Sequence, residues 1–286
     1  MIEEGYILTA TCPGNFGIVA AVSGFLADRR CYILEMAEFD DLDSGRFFVR
    51  SVFKPDPEKT PTLSQLREEF EPVAASFAME WTIHHPAYRA RVLLLVSKYD
   101  HCLNDLLYRY RTGDLKMEIP MIVSNHPDLE PLARWHDVPF TYLPVTPETK
   151  QKQEERIMEV IEETKIDLVV LARYMQILSD SMCSKLEGRA INIHHSFLPG
   201  FKGAKPYHQA FKRGVKLIGA TAHYVTAELD EGPIIEQVVE RVDHTYNPER
   251  LVSAGRDMES LALARAVKLH IEYRVFRNGN KTVVFR

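Results

Sequence analysis

The chain has 286 residues, of which 45% are hydrophobic and 26% charged, and its formal net charge is −5. This length suits one large domain or two smaller ones, and the composition is ordinary for a globular protein. The acidic balance argues against a general nucleic-acid binder, which would present a concentrated basic face. No apolar run approaches the roughly 20 residues of a membrane span, and the N-terminal segment, residues 1–5, is short and acidic. We therefore expect neither a membrane segment nor a signal peptide.

The four cysteines, Cys12, Cys31, Cys102 and Cys183, lie far apart in the chain. No two of them form a Cys-x-x-Cys pair, so nothing indicates a paired redox or ligand motif. Free thiols persist in a reducing compartment, and this usage therefore predicts a cytoplasmic protein.

The first 84 residues alternate between strand-like and helical patterns. Strands are predicted at residues 6–11, 31–39, 46–53 and 79–83. Between them, apolar residues recur at helical spacing, with one helix marked by Ile18, Val22 and Leu26 and another by Leu63, Leu66 and Phe70. The order βαββαβ is the ferredoxin-like arrangement, and residues 85–89 are predicted to be a linker.

A turn at residues 12–17, Cys-Pro-Gly-Asn-Phe-Gly, joins the first predicted strand to the first helix. With this turn and the element order, residues 5–84 resemble an ACT domain, a small module that often binds amino acids and regulates enzymes. The resemblance implies an amino-acid effector at Gly14, Asn15 and Gly17, because glycine lets backbone groups approach a ligand. A loop that only joins strand to helix, or that pairs subunits, is the alternative. Such modules commonly pair, so a homo-oligomer, dimer or tetramer, is also implied.

From residue 90 onward the pattern changes to continuous apolar runs separated by helical segments. The runs at residues 92–96, 121–124 and 168–171 are typical of parallel strands that are covered on both faces. Their alternation with helices predicts an α/β domain with a doubly wound, mostly parallel sheet over residues 90–286. Ligands of such sheets bind beyond the carboxyl ends of the strands. Neither of the common glycine-rich nucleotide fingerprints follows any of these strands.

Polar residues with the chemistry of a carbonyl reaction follow one strand-like run. Side chains alternate along an extended chain, so Asn192 and His194 are predicted to share a face and His195 to point the other way. An acidic loop at residues 226–233, closed by Gly-Pro, is placed to bring Asp230 beside His194. The amide donates to a developing oxyanion, the imidazole donates or moves a proton, and the carboxylate sets the charge of the imidazole.

Three segments, at residues 171–178, 192–199 and 229–235, resemble the formyltransferase family that uses 10-formyltetrahydrofolate. The resemblance spans residues 90–275 and implies that Asn192, His194 and Asp230 are catalytic. 10-Formyltetrahydrofolate would then be the substrate, with no prosthetic group. The His194-His195 pair could suggest a metal, but alternation sends the two rings apart and no third ligand is spaced with them, so no metal is predicted. The resemblance also implies a folate pocket, formed by Gln176, Ile177, Leu178, Thr226 and Glu228.

An ACT module ahead of this domain is the arrangement of the formyltetrahydrofolate deformylases, which residues 96–107 and 195–204 also resemble. Two features depart from the transferases: the turn at residues 97–101 lacks the glycines that hold a ribonucleotide phosphate, and His195 stands where transferases usually carry proline. The resemblance therefore implies a hydrolase that releases formate and tetrahydrofolate, and that balances one-carbon pools for purine biosynthesis. Formyl transfer to an amine, or a sensor with an inactive catalytic domain, is the alternative.

Other polar residues are predicted to be structural. His195 is assigned to packing or to a supporting contact behind the site residues, and His223, which lies mid-strand, to a satisfied core or groove position. Ser97 and Cys102 have no positioned base in the sequence, so neither is predicted to be a nucleophile. Lys202 and Lys205 are either attracted to the folate glutamate tail or only solvated.

Overall fold

The computed structural model describes residues 5–198 and 206–286, and it divides into two compact units. The first contains the described residues up to Tyr88 together with Glu272–Arg286, and the second contains Arg89–Ile271. The division falls within the predicted linker at residues 85–89. The end of the chain differs from the prediction, because Glu272–Arg286 belongs to the first unit and not to the second. Lys202 and Lys205 lie outside the described residues.

In the first unit, the described strands form an antiparallel sheet in the order β2-β3-β1-β4. The elements are β1 (Tyr6–Pro13), α1 (Ile18–Asp28), β2 (Cys31–Asp41), β3 (Arg46–Pro55), α2 (Leu63–Ser76) and β4 (Glu80–His84). The apolar stripes of both helices, including Val22 and Phe70, join one core with the odd-numbered residues Val49 and Phe53 of β3. This is the predicted ferredoxin-like order, and the small antiparallel unit fits an ACT-like domain.

The second unit is built on a larger sheet, whose described strands run in the order β11-β10-β9-β8-β5-β6-β7. Its elements are β5 (Ala90–Val96), α3 (His101–Thr112), β6 (Met117–Ser124), α4 (Glu130–Trp135), β7 (Phe140–Tyr142), α5 (Lys150–Glu163), β8 (Leu168–Leu171), α6 (Asp180–Lys185), β9 (Ala190–His194), α7 (Pro206–Arg213), β10 (Leu217–Tyr224), β11 (Ile234–Arg241) and α8 (Pro248–Ile271). Strands β5 to β9 pair in parallel, and β10 and β11 extend one edge of the sheet with antiparallel pairing. No helix within the described ranges is long and apolar enough to cross a membrane.

The chain reverses its direction of winding beside β5, and this reversal positions the site. From β5 the chain moves outward to β6 and β7, and then returns through α5 to β8 on the other side of β5. The carboxyl ends of β5 and β8 therefore flank the switch point, where such sheets bind ligands. Here the buried Ser97 hydroxyl donates to Asn125 Oδ1 (2.6 Å) and accepts from the Met175 amide (3.0 Å). Ser97 thus ties three strand ends together and is structural, as predicted.

The last residues of the chain cover the second face of the first-unit sheet. They contain the hairpin β12 (Val275–Asn278) and β13 (Lys281–Val284). Phe276 packs edge-on against the buried Phe48 ring (5.8 Å), and the buried Arg50 donates to the Glu272 carbonyl (3.1 Å) and to the Glu35 carboxylate (2.8 Å). Phe48 and Arg50 alternate with the residues of β3 that face the helices. The sheet is therefore buried on both faces, which explains why this hairpin belongs to the first unit.

Candidate active site

A cavity of about 630 Å³ lies beyond the carboxyl ends of β8 and β9. It is lined by the loop that follows β8, by the end of β9 and by the loop between β10 and β11. All the predicted catalytic and folate-pocket residues line it: Gln176, Ile177, Leu178, Asn192, His194, Thr226, Glu228 and Asp230. Met175, Ile177 and Leu229 are more than half exposed and also line the cavity, so an apolar ligand could gain contacts there.

The two ring nitrogens of His194 differ in their contacts, because Nδ1 has a partner and Nε2 has none among the described residues. Its Nδ1 lies 3.2 Å from Asp230 Oδ2, and both side chains are largely buried. Its Nε2 is also buried, with no hydrogen-bond partner among the described residues. Unpaired buried nitrogens are costly and concentrate at functional positions. With Nδ1 held by the carboxylate, Nε2 is the atom left to bond a ligand in the cavity.

Asp230 is held as an anion by its surroundings. Burial alone would raise the pKa of its carboxyl group, but hydrogen bonds from His194 and His223 outweigh burial and hold this pKa well below the usual range. The residue lies in the left-handed backbone region (φ 58°), which side-chain-bearing residues rarely adopt and which is enriched at functional sites. The loop nevertheless stays in place, because the Val225 amide donates to the Ala190 carbonyl and the Tyr224 amide to the Pro233 carbonyl, both at 2.9 Å.

His223 is a satisfied residue within a strand, as predicted, and it also lines the cavity. It lies directly opposite Asn192 in the pairing of β10 with β9, so the two side chains share a face. Its Nδ1 lies 2.8 Å from the Tyr224 carbonyl, and because a carbonyl only accepts, Nδ1 carries a proton. Its Nε2 lies 3.4 Å from Asn192 Nδ2 and 3.7 Å from Asp230 Oδ1, so His223 contacts both the amide and the carboxylate of the site.

His195 corrects another expectation, because alternation had sent its ring away from that of His194. Strand β9 ends at His194 and the chain bends at His195, so strand alternation does not extend to this residue. The two rings are 5.1 Å apart between centroids, and both line the cavity. Burial, the Arg173 guanidinium and His194 lower the pKa of His195 to about 4. Its imidazole is therefore neutral at pH 7.

A buried carboxylate, Glu259 of α8, marks another part of the cavity wall. It is bonded by the Tyr207 hydroxyl (3.0 Å) and by His101 Nε2 (2.7 Å), and the Arg173 guanidinium lies 3.4 Å away. His101, Cys102 and Glu259 come close enough to bind a metal ion together. Their chemistry does not suit a cation: burial raises the pKa of the Cys102 thiol, Glu259 is already bonded, and Arg173 adds a positive charge.

In the first unit, the predicted effector residues have local structural roles. The Gly14 amide donates to the Gly45 carbonyl (2.9 Å), and Asn15 Oδ1 accepts from the Phe16 amide (2.8 Å). Gly17 precedes α1 with φ 85°, a conformation that favours glycine. These contacts explain the turn without a ligand, and effector binding there stays a prediction.

We expect Gly232→Ala to displace the loop that carries Asp230. A Cβ at this position would overlap the Tyr224 carbonyl oxygen and contact the His223 ring, so the backbone must shift. The expected result is a loss of about 1–3 kcal/mol in the free energy of unfolding. If Asp230 is catalytic, as the sequence predicts, kcat should also fall about 10²-fold, since small misplacements of a catalytic group are costly. Urea unfolding and steady-state kinetics measure both effects.

Gly24→Ala in α1 is the matched control for Gly232→Ala, because a Cβ there meets nothing within 4 Å. Alanine is the better helix former, so the control should keep full activity and equal or higher stability. If Gly232→Ala behaved in the same way, the loop would not need a close backbone approach at residue 232.

Comparison with known proteins agrees with this geometry. A model of the formyl transferase family matches residues 90–267. A formyltetrahydrofolate deformylase from Corynebacterium sp. (strain P-1) is 52% identical, over 98% of this chain and 98% of its own length. A crystal structure of formyltetrahydrofolate deformylase from Burkholderia mallei is 58% identical with a TM-score of 0.94, covering 99% of this chain and 100% of that one.

The likeness to transferases is narrower. Glycinamide ribonucleotide transformylase 1 from Symbiobacterium toebii is 29% identical with a TM-score of 0.65, and the match covers 69% of this chain and 95% of that one. The likeness to deformylases extends over both units instead. The chain therefore belongs to the formyl transferase family and, within it, to the formyltetrahydrofolate deformylases.

Proposed function

We propose that this protein hydrolyses 10-formyltetrahydrofolate to formate and tetrahydrofolate. The observation that carries the proposal is the unpaired Nε2 of His194, backed at Nδ1 by Asp230 and placed in one cavity with Asn192. This arrangement offers two hydrogen-bond donors to a carbonyl oxygen that becomes negative during the reaction. The names of the full-length relatives support the same activity.

The formyl oxygen would accept hydrogen bonds from Asn192 Nδ2 and His194 Nε2. Attack by water forms a new C–O bond and places a negative charge on that oxygen, and each well-placed donor stabilises the charge by about 3–4 kcal/mol. The nitrogen N10 carries an aryl ring, which weakens amide resonance and improves the leaving group. When the C–N10 bond breaks, N10 takes a proton and formate is released. Asp230 holds His194 with Nε2 directed to the substrate.

The folate ring system would occupy the part of the cavity between two loops. Ile177 and Leu178 on one loop supply apolar contact, while backbone groups of residues 226–230 are available to the polar edge of the ring. The Thr226 hydroxyl donates to the Glu228 carbonyl (3.0 Å), which orders this loop before substrate binds. No cofactor takes part in this scheme.

Water is favoured over an amine as the nucleophile. The turn after β5 carries Tyr99 and His101, whose side chains line the cavity. Arg173 lies over the Tyr99 ring at 5.0 Å, and His101 bonds Glu259. Aromatic and ion-paired side chains thus stand where the transferase pattern has a glycine-rich phosphate turn, which leaves a ribonucleotide acceptor without a binding loop.

The test is formate release from 10-formyltetrahydrofolate with a metal chelator present and no amine added. Stoichiometric formate and tetrahydrofolate are the expected products. Release that requires glycinamide ribonucleotide or another amine would replace hydrolysis by formyl transfer. No turnover in either assay, together with retained folate binding, would instead favour a sensor with an inactive site.

We also propose that the first unit regulates the hydrolysis. Unchecked hydrolysis would drain one-carbon units that purine biosynthesis needs, so a switch that responds to an amino acid is useful to the cell. We expect the initial rate to change when methionine or glycine is titrated, and a flat response to the set of amino acids would remove this role.

A homo-oligomer fits such a module. The four buried free thiols fit the reducing cytoplasm.

A further inference from the structure

Hydrolysis needs a group that holds the attacking water and takes its proton. The three predicted catalytic residues, Asn192, His194 and Asp230, do not supply one. His194 must keep the proton on Nε2 in order to donate to the formyl oxygen. Asp230 has Oδ2 in contact with His194 and Oδ1 3.7 Å from His223 Nε2. It is also a very weak base, since these imidazoles hold its pKa below the usual range. Asn192 has no basic atom.

Of the histidines that line the cavity, His195 is the one placed for this step. His101 is bonded to Glu259, and His223 to Tyr224 and Asn192. His208 lies on α7 and is largely exposed. The ring of His195 adjoins that of His194 at 5.1 Å, is half-buried, and makes no hydrogen bond to any residue that the structure describes.

The ring of His195 is available to accept a proton. Before the reaction, burial, the Arg173 guanidinium and His194 keep it unprotonated, with its pKa lowered to about 4, which makes it a weaker base than a free imidazole. One ring nitrogen therefore carries a lone pair that can accept a hydrogen bond from water. After the reaction, the carboxylates of Glu259 and Asp230 favour the protonated ring. Arg173 is itself held 3.4 Å from Glu259, so the charge that faces His195 is fixed in position.

We infer that His195 binds the attacking water and accepts its proton as the C–O bond forms; the inference rests on the proposed hydrolysis. In the balanced step, the water oxygen bonds to the formyl carbon, and one water proton moves to His195. The carbonyl electron pair moves to the oxygen held by Asn192 and His194. The C–N10 bond then breaks, N10 takes the proton from His195, and the formic acid formed ionises to formate and releases a proton to solvent.

The test compares His195→Ala with His244→Ala, a control at an exposed histidine that is not among the residues lining the cavity. We expect His195→Ala to lower kcat about 10²-fold with little change in KM, and His244→Ala to stay close to wild type. Added imidazoles should restore turnover in His195→Ala, and the restored rate should rise with the basicity of the imidazole across a series of similar size. Binding of 5-formyltetrahydrofolate, measured by calorimetry, should be unchanged.

His195→Asn separates a basic role from a packing role, because asparagine can hold water but cannot take its proton. It should lose as much kcat as His195→Ala and should replace it if the alanine variant does not fold. Near-wild-type kcat in either variant would overturn the inference, and so would a rescue that follows the size of the imidazole but not its basicity. If the wild-type protein released no formate without an amine, the proposed hydrolysis would fail first, and the two failures are thus distinguishable.

Discussion

Asp230→Asn is expected to lower kcat by about 10³- to 10⁴-fold while folate binding persists. In the wild-type protein the carboxylate lies 3.2 Å from His194 Nδ1, and in the proposed mechanism it stabilises the imidazole that donates from Nε2. An asparagine keeps the size of the side chain but removes the negative charge, and it lets the ring adopt the wrong tautomer. The loss of a buried carboxylate behind a catalytic histidine has effects of this size.

The deficit of Asp230→Asn should not shrink in mild acid. Hydrogen bonds from His194 and His223 hold the pKa of the wild-type carboxyl below its usual value, against the opposing effect of burial. A depressed pKa means that the carboxylate stays ionised as pH falls from 8 to about 5. The ratio of wild-type to variant kcat is therefore expected to stay level over this range, as a pair of pH–rate profiles would show.

Glu231→Gln is the control for Asp230→Asn, because Glu231 is the exposed neighbouring acid of the same loop and is not among the residues that line the cavity. It should retain wild-type kcat, which would show that charge is needed at residue 230 and not merely in the loop. Calorimetric titration with 5-formyltetrahydrofolate measures binding in both variants. Asp230→Asn with near-wild-type turnover would exclude the carboxylate from catalysis.

Local sequence patterns predicted the parts of the site that depend on single elements. Asn192 and His194 have the same parity on β9, and alternation alone places both side chains on one face. The Gly-Pro turn at the end of the acidic loop is likewise local, and the structure brings Asp230 to His194. The buried runs at residues 92–96 and 168–171 predicted parallel strands with a site beyond their carboxyl ends, whereas the strand order that creates the switch point came only from the structure.

Features that depend on distant pairing were not predictable in the same way. The role of His223 requires the register between β9 and β10, which no local pattern encodes. Glu259 lies on α8 and lines the same cavity as the ends of β8 and β9, although it is far from them along the chain. His195 was misplaced because strand alternation was extended one residue past the end of β9, where the chain bends. The Pro-Gly pair four residues later signals a turn but not its first residue.

The sequence of β3 contains a signal for one feature that was not predicted, namely that both faces of the first-unit sheet are covered. In β3, apolar residues occur at both parities, with Phe47 and Val49 on one face and Phe48 and Val52 on the other. A strand with one solvated face would alternate apolar and polar residues, so this run indicates cover on both faces. The two helices cover only one face of the sheet. The other face had to be covered by another part of the chain, and residues 272–286 cover it.

Asn192→Ala is expected to lower kcat by about 10²- to 10³-fold with a much smaller change in KM. In the proposed mechanism the amide contributes a donor that is needed most when the formyl oxygen becomes negative, so its loss should affect the transition state more than the bound substrate. Asn192→Asp should be at least as damaging, because a carboxylate would repel the oxyanion. Steady-state kinetics of formate release measure both variants. A raised KM with unchanged kcat would instead assign Asn192 to substrate binding.

The contact between Asn192 and His223 allows a sharper test of whether His223 acts by holding the amide in place. His223 Nδ1 donates to the Tyr224 carbonyl, and its Nε2 lies 3.4 Å from Asn192 Nδ2. We expect His223→Phe to lose less kcat than Asn192→Ala. The double variant should lose less than the product of the two single effects, because the second change removes a partner that is already gone. Fully multiplicative losses would mean that His223 acts independently of Asn192, through its proximity to Asp230.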